Sequence, residues 1–280
     1  MGLVIGIDVG GSTTKIVGVR NRDIVSPLFV KASDPLASLY GALGKYIDAN
    51  KLELSDIEEI ILTGVGSAYV EKPLFGVPTA RTDEFQANGL GAKFTISLEN
   101  IIVVSMGTGT SFVKVQGDQI KHIGGTGIGG GTLLGLSRLL LKTQRIDTIA
   151  ELASRGSLSN IDLQIQDICS KPLPGLPLDA TASNFGKVDG NASPEDLASG
   201  ILHLVLRAIG QSAILSSIHS NIRDFVLIGN LTRLEQCQEI FAKMEQMYQV
   251  RFHIPEYSEY STAIGAALAY QQRSGIEIIK

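Results

Sequence analysis

Leu3-Val4-Ile5-Gly6-Ile7-Asp8-Val9-Gly10-Gly11-Ser12-Thr13-Thr14-Lys15-Ile16-Val17-Gly18-Val19 is the stretch that decides the fold. A near-continuous apolar run stops at a turn of small polar residues and resumes at Lys15, and two β-rich runs around a glycine turn predict a hairpin. The same design begins again at Ile101-Ile102-Val103-Val104, turns through Ser105-Met106-Gly107-Thr108-Gly109-Thr110-Ser111 and resumes at Phe112-Val113-Lys114-Val115. Two such units about 100 residues apart are too widely spaced for a solenoid and suit a duplicated domain.

Outward from these hairpins, residues 35–50 place Leu36, Leu39, Tyr40, Leu43 and Ile47 at helical spacing. Residues 57–62 read as a strand ending in Thr63-Gly64-Val65-Gly66. Beyond the second hairpin, 130–141 reads as a helix, with shorter helices near 146–153 and 161–169 and a proline-rich loop over 171–177. Ser193 as cap, Pro194 at the first position and Glu195 and Asp196 in the first turn start a long helix. His203, Arg207 and Gln211 interrupt its apolar surface, which makes it a core helix and not a membrane span. Residues 225–228 read as a buried strand ending in Gly229-Asn230, and 260–273 as a last helix. Strands alternating with helices in each half predict an α/β chain of two related lobes, 1–95 and 96–280, with a cleft between them.

Composition narrows the function. A chain of 280 residues with 44% hydrophobic and 19% charged residues can bury a large core. Its net charge of -4 provides no general basic surface, so nucleic acid is not the expected partner. Cys169 and Cys237 form no C-x-x-C pair, which argues against zinc, an iron–sulfur cluster and a disulfide framework. With no leader pattern at residue 1, the expected location is the cytoplasm. Glycine is the anomaly: ten of the 31 fall between residues 101 and 135, where even spreading would place about four. Glycine loses the most chain entropy on folding, so such a cluster needs a backbone-level reason.

Phosphate chemistry supplies one. Asp8-Val9-Gly10-Gly11-Ser12-Thr13-Thr14-Lys15 puts a carboxylate at a strand end beside two positions without side chains, three hydroxyls and an ammonium. Backbone N–H groups in such a turn can face phosphate oxygens, and Asp8 can hold Mg2+, directly or through water. Gly107-Thr108-Gly109-Thr110-Ser111 repeats the chemistry, and Gly124-Gly125-Thr126-Gly127-Ile128-Gly129-Gly130-Gly131-Thr132 runs straight into a helix whose dipole favours an anion. The Asp8 to Lys15 turn has neither a P-loop nor a Rossmann spacing. In Arg81-Thr82-Asp83-Glu84-Phe85, Thr82 can cap a helix starting at Asp83. These residues alone leave open whether Glu84 is a base or an acid complementing the helix dipole.

Asp8 to Lys15, Gly107 to Ser111, Gly129 to Gly131, Ala182-Ser183-Asn184-Phe185-Gly186 and Ile228-Gly229-Asn230 follow in the order found in type II pantothenate kinases, which the chain resembles throughout. The resemblance implies the duplicated ribonuclease H-like, actin-like ATPase fold, with helical additions in the C-terminal lobe and the nucleotide in the cleft. It implies Mg·ATP-dependent phosphorylation of pantothenate, or a close analogue, by a cytoplasmic homodimer that acyl-CoA can inhibit. It makes Glu84 the catalytic base and assigns Thr108, Gly109, Gly130, Gly131, Thr132, Leu133, Leu134, Ile146 and Asn230 to the nucleotide. Ser111 falls on the pantothenate side, together with His122, which stands where the family commonly has arginine. Imidazole is a shorter and weaker partner than guanidinium, so that departure keeps two alternatives in view. They are a related amino-sugar kinase and a nucleotide or acyl-CoA sensor without turnover. An activase-type ATPase of the same superfamily would need cluster-binding cysteines that this chain lacks.

Overall fold

A computed structural model describes residues 2–31, 34–169, 171, 175–272 and 276–279. The first hairpin is β1 (Leu3–Val9) and β2 (Thr13–Arg20), and β3 (Asp23–Lys31) extends it into an antiparallel meander. Helix α1 (Pro35–Ala49) follows, then β4 (Ile57–Thr63) and β5 (Thr79–Thr82), which add parallel on the other side of β1, and then α2 (Glu84–Thr95). The second lobe opens in the same way with β6 (Asn100–Met106), β7 (Thr110–Gln116) and β8 (Gln119–Thr126). An insertion carries α3 (Gly130–Leu141), α4 (Ile146–Arg155), β9 (Leu163–Gln164), α5 (Ile165–Ile168) and β10 (Thr181–Ser183). The duplicated plan then resumes with α6 (Pro194–Ser217), β11 (Asp224–Ile228), α7 (Glu235–Tyr248), β12 (Arg251–His253) and α8 (Ser261–Gln272), followed by β13 (Ile276–Ile279).

The sheets read β3-β2-β1-β4-β5 and β8-β7-β6-β11-β12, with identical directions at every pairing. The duplication expected from two hairpins is therefore complete at the level of topology. β13 pairs antiparallel with β5 at the edge of the first sheet, and α8 packs on β1, β2 and β4. The last two elements thus return to the first lobe, which a single division at residue 95 does not describe.

Both faces of each sheet are covered, which explains why the strands read as continuous apolar runs. On β1, Leu3, Ile5, Ile7 and Val9 point outward to a core with Leu39, Leu43 and Tyr46 of α1. Val4 points inward to Ala263, Ile264 and Ala267 of α8, and by alternation Gly6 and Asp8 share that inner face. On β6, Ile102, Val104 and Met106 face α6 and its neighbours, whereas Ile101 and Val103 face Ala92 of α2. Each lobe therefore lends a helix to the inner face of the other. The two helices cross in backbone contact: a Cβ on Gly91 would stand 1.9 Å from Ser261 O, and one on Gly265 1.8 Å from Ala87 O.

Several sequence expectations need correction. Ser105, Met106, Thr110 and Ser111 are paired in the β6/β7 ladder, so the second turn narrows to 107–109. The helix starts at Glu84 and its cap is Asp83, not Thr82, because the Asp83 carboxylate reaches Phe85 N and Gln86 N. The helix expected over 161–169 is the two-residue strand β9 and a single turn, α5, since β9 pairs with β10. Residues 172–174 of the proline loop lie outside the described residues. Helix α6 is long and apolar enough to cross a membrane by length and composition, yet half of that window is buried within the second lobe.

Candidate active site

The inner face of the first sheet ends in a polar row. Register places Lys15 of β2 and Thr63 of β4 on either side of Asp8, and continuing the β4/β5 pairing by one residue adds Thr82. Lys15 Nζ and Asp8 Oδ2 stand 3.8 Å apart, both side chains nearly buried. Burial pushes the Asp8 carboxyl above its ordinary range, and the Lys15 ammonium only partly opposes this. The hydroxyls of Thr63 and Thr82 are buried without a hydrogen-bond partner among the described residues. Thr14 is one residue off this face, paired with Val9 and fully buried. In the turn, Gly10 N donates to Thr13 O at 2.9 Å, and Gly11 and Ser12 form an exposed tip.

β5 runs past Thr82 into the cap of α2, which delivers Glu84 in the first turn. Glu84 is half-buried and its pKa is pushed up to about 7, first by burial, then by the negative charges of Asp8 and Asp83, against the pull of Lys15. Electrostatics thus tie Glu84 to the Asp8–Lys15 pair. His122 of β8 reaches this end of α2 from the other lobe: its ring stacks on Phe85, centroids 3.9 Å apart and planes 13° from parallel.

On the side of the second lobe, the glycine-rich segments are bonded to each other. Gly130 N donates to Gly107 O at 2.8 Å and Gly131 N to Thr108 O at 2.9 Å. Two N–H groups at the head of α3 that the sequence suggested for an anion therefore hold the 107–109 turn instead. Thr132 Oγ1 donates to Gly127 O at 3.0 Å and accepts from Gly129 N at 3.3 Å. A Cβ on Gly129 would lie 2.7 Å from the Gly109 backbone, so the glycine cluster is there because two stretches of main chain lie in contact. Leu133 is wholly buried, and Leu134 and Ile146 pack half-buried on the same core. Asn230 follows Gly229 beside the end of β6, and its Oδ1 is buried without a hydrogen-bond partner among the described residues. Ser111 is half-buried in β7, paired with Ser105 and Gly125.

Residues 97–269 match the Fumble family. Over 275 residues the chain is 30% identical to a type II pantothenate kinase of Bacillus cereus, covering 94% of this chain and 97% of that protein. The chain belongs to the type II pantothenate kinase family. Among solved structures, the activator of the 2-hydroxyisocaproyl-CoA dehydratase from Clostridium difficile with bound ADPNP aligns at a TM-score of 0.71 and 17% identity. That alignment covers 97% of this chain and 95% of the activator. A ROK family glucokinase from Streptomyces griseus in complex with glucose and AMPPNP aligns at 0.59 and 14%, covering 96% and 100%. At those identities the likeness is one of fold, the actin-like two-lobe architecture.

As a member of a family of ATP-dependent kinases, the chain uses the Ala182–Gly186 signature structurally. Asp162, fully buried, accepts hydrogen bonds from Phe185 N (2.9 Å), Thr181 Oγ1 (2.9 Å) and Asn184 Nδ2 (3.2 Å), and pairs with His203 Nδ1 at 3.1 Å. Burial would push its carboxyl up, but the bonds from His203, Phe185 and Thr181 outweigh that and hold it low. Sequence reasoning missed this hub, and it missed Arg81, whose Nε donates to Ser67 O at 2.9 Å and whose Nη2 donates to Val70 O. A cavity of about 1140 Å³ lies away from the cleft, lined in part by His203, Arg207, Gln236 and Lys243. None of the predicted site residues lines it.

Proposed function

We propose that the chain transfers the γ-phosphoryl group of ATP to the terminal hydroxyl of pantothenate, giving 4'-phosphopantothenate for coenzyme A synthesis. The observation that carries the proposal is Glu84, a half-buried carboxylate raised to about 7 at the head of α2, within the electrostatic reach of Asp8 and Lys15. A general base is most effective with a pKa near the working pH. The acceptor hydroxyl gives its proton to Glu84 as its oxygen bonds to the γ-phosphorus. The bond from that phosphorus to the β,γ-bridging oxygen breaks, and ADP leaves. Such a transfer depends mainly on positioning and charge neutralisation, with lobe closure keeping water out.

Asp8 fits a divalent cation: it is a buried carboxylate whose one close ammonium among the described residues, Lys15, stands 3.8 Å away and only partly offsets its burial. Mg2+ there, bound directly or through water, would neutralise phosphate oxygens. The 10–13 and 107–109 turns, with Ser12, Thr13 and Thr108, provide the backbone and hydroxyl donors for the phosphates. Asn230, whose Oδ1 has no hydrogen-bond partner among the described residues, and Leu134 and Ile146 would take the nucleoside side. Ser111 and His122 take the acceptor side, where His122 on Phe85 offers one ring nitrogen in place of a guanidinium fork. A cytoplasmic homodimer open to inhibition by acyl-CoA follows from family membership and belongs to the same proposal.

ADP release by the purified chain, followed with candidate acceptors, tests this. Release should require pantothenate and fall about a thousandfold in Glu84→Gln while ATP binding is retained. No release with pantothenate, pantetheine or any amino sugar would contradict the proposal and leave a nucleotide or acyl-CoA sensor.

A further inference from the structure

The duplication extends into the turns that follow the central parallel strands. After β4, Gly64 (φ 82°, ψ 161°) leads into the 3-10 turn Val65–Tyr69; after β11, Gly229 (φ 98°, ψ -179°) leads into Asn230–Arg233. Ser67 N and Oγ donate to Gly64 O at 3.0 and 2.7 Å, and Thr232 N and Oγ1 donate to Gly229 O at 3.2 and 2.7 Å. Both glycines press on the end of the lobe's first strand: a Cβ would fall 2.7 Å from Val9 O at Gly64 and 2.5 Å from Met106 O at Gly229. Residue for residue, Val65 stands in the first lobe where Asn230 stands in the second.

The two turns differ in character. Asn230 is half-buried and polar, whereas Val65 is 71% exposed and Tyr69, at the far end of its turn, 65%. The turn starts against the Asp8 carboxylate, since Asp8 Oδ1 lies 2.6 Å from where a Cβ on Gly64 would be, and Val65 is the next residue of the chain. Their supports differ as well. Ser258 holds the second turn, its carbonyl accepting from Gly229 N at 3.0 Å and its hydroxyl meeting Thr232 Oγ1 at 2.8 Å. Arg81 holds the first by donating to Ser67 O and Val70 O from β5, three residues before Glu84.

We propose that Val65 is the acceptor-side counterpart of Asn230, packing against the dimethyl-substituted carbon next to the hydroxyl that is phosphorylated, and that Arg81 is the positioning residue for that turn. The inference rests on the pantothenate kinase reading. In pantothenate the reacting hydroxyl sits on a methylene bonded to a quaternary carbon with two methyl groups. The wall beside the base must therefore receive apolar surface, whereas a sugar would present hydroxyls there. An exposed valine has no part in the core, so its removal separates acceptor recognition from folding.

Steady-state kinetics of the full chain with Val65→Ala, Arg81→Gln, Arg81→Lys and the Val65→Ala/Arg81→Gln double variant test the proposal. Val65→Ala removes two methyl groups and should lower kcat/KM for pantothenate about tenfold, with KM for Mg·ATP and Tm unchanged. Arg81→Gln should raise the pantothenate KM in the same way, and Arg81→Lys, a one-point donor, should fall between. The double variant should be little worse than Arg81→Gln alone, since both act through one turn. Unchanged pantothenate kinetics in Val65→Ala would overturn the proposal. So would a change in KM for Mg·ATP instead, or a change of solution mass in place of kinetics, which would assign the patch to a second copy. Absence of transfer by the unaltered chain, measured first, would overturn the kinase reading and this inference with it.

Discussion

Glu84 is held in a state that costs stability and that suits the base of the proposed reaction. Its folded pKa of about 7 lies above the ordinary 4.5, so its contribution to stability is fully present below 4.5 and is lost as pH rises through 7. Glu84→Gln should therefore raise Tm at pH 8 and leave it unchanged near pH 4, by calorimetry, while kcat falls about a thousandfold. The same value sets the acid limb of activity: kcat/KM for pantothenate should decline below about pH 7 as the base protonates, and Glu84→Gln should abolish that limb. His122 acts at the same scale. Since its ring lies on Phe85, next to the base, His122→Ala should raise the pantothenate KM and leave nucleotide affinity intact, which isothermal titration with an ATP analogue would check.

At the scale of elements, the glycines divide into two kinds with different predicted phenotypes. At the crossing of α2 and α8, a methyl group on Gly91 or Gly265 would meet main chain within 2 Å, so alanine at either should cost about 3 kcal/mol or more in urea denaturation. Gly107 is different, since the nearest atom to its Cβ position is Gly109 O at 3.8 Å. Gly107→Ala should fold with an unchanged midpoint and lose ATP affinity; equal losses of both would make that turn purely structural. How far these elements can be read from sequence depends on what packs them. β1, β2, β6 and β7 are buried on both faces and announce themselves as apolar runs. β3 and β8 are largely half-buried, and β12 is only three residues long; all three went unread. Asp83 and Glu84 were legible as helix-start acids, but no local signal distinguishes Arg81 from a solvated charge. Its carbonyl partners lie 14 and 11 residues away in a turn whose position depends on β4 and β5 being neighbours. One further signal was present and unused: an apolar strand ending in glycine at both Gly64 and Gly229 marks the same place in each copy.

At the scale of the molecule, each half of the duplication takes one role. The second lobe keeps Asn230 and the bonded glycine loops, the first keeps Asp8, Lys15 and Glu84, and α2 and α8 are exchanged between the sheets so that Phe85, the residue after Glu84, meets His122 of the other lobe. The family likeness was legible because Asp8 to Lys15, Gly107 to Ser111 and Ile228 to Asn230 lie at strand ends, where short glycine motifs follow apolar runs. In the insertion between β8 and α6 the helices α3 and α4 were legible, but the stretch from β9 to β10 was not, because Asp162 organises it through side-chain and backbone bonds that leave no periodic trace. The account stands or falls on the chemistry performed in that cleft. Mass spectrometry of the small-molecule products after incubation with Mg·ATP and a mixture of pantothenate, pantetheine and amino sugars measures it directly. The predicted result is pantothenate gaining one phosphoryl group, with formation about a thousandfold slower in Glu84→Gln. A phosphorylated amino sugar with pantothenate untouched, or no phosphorylated product at all, would contradict it.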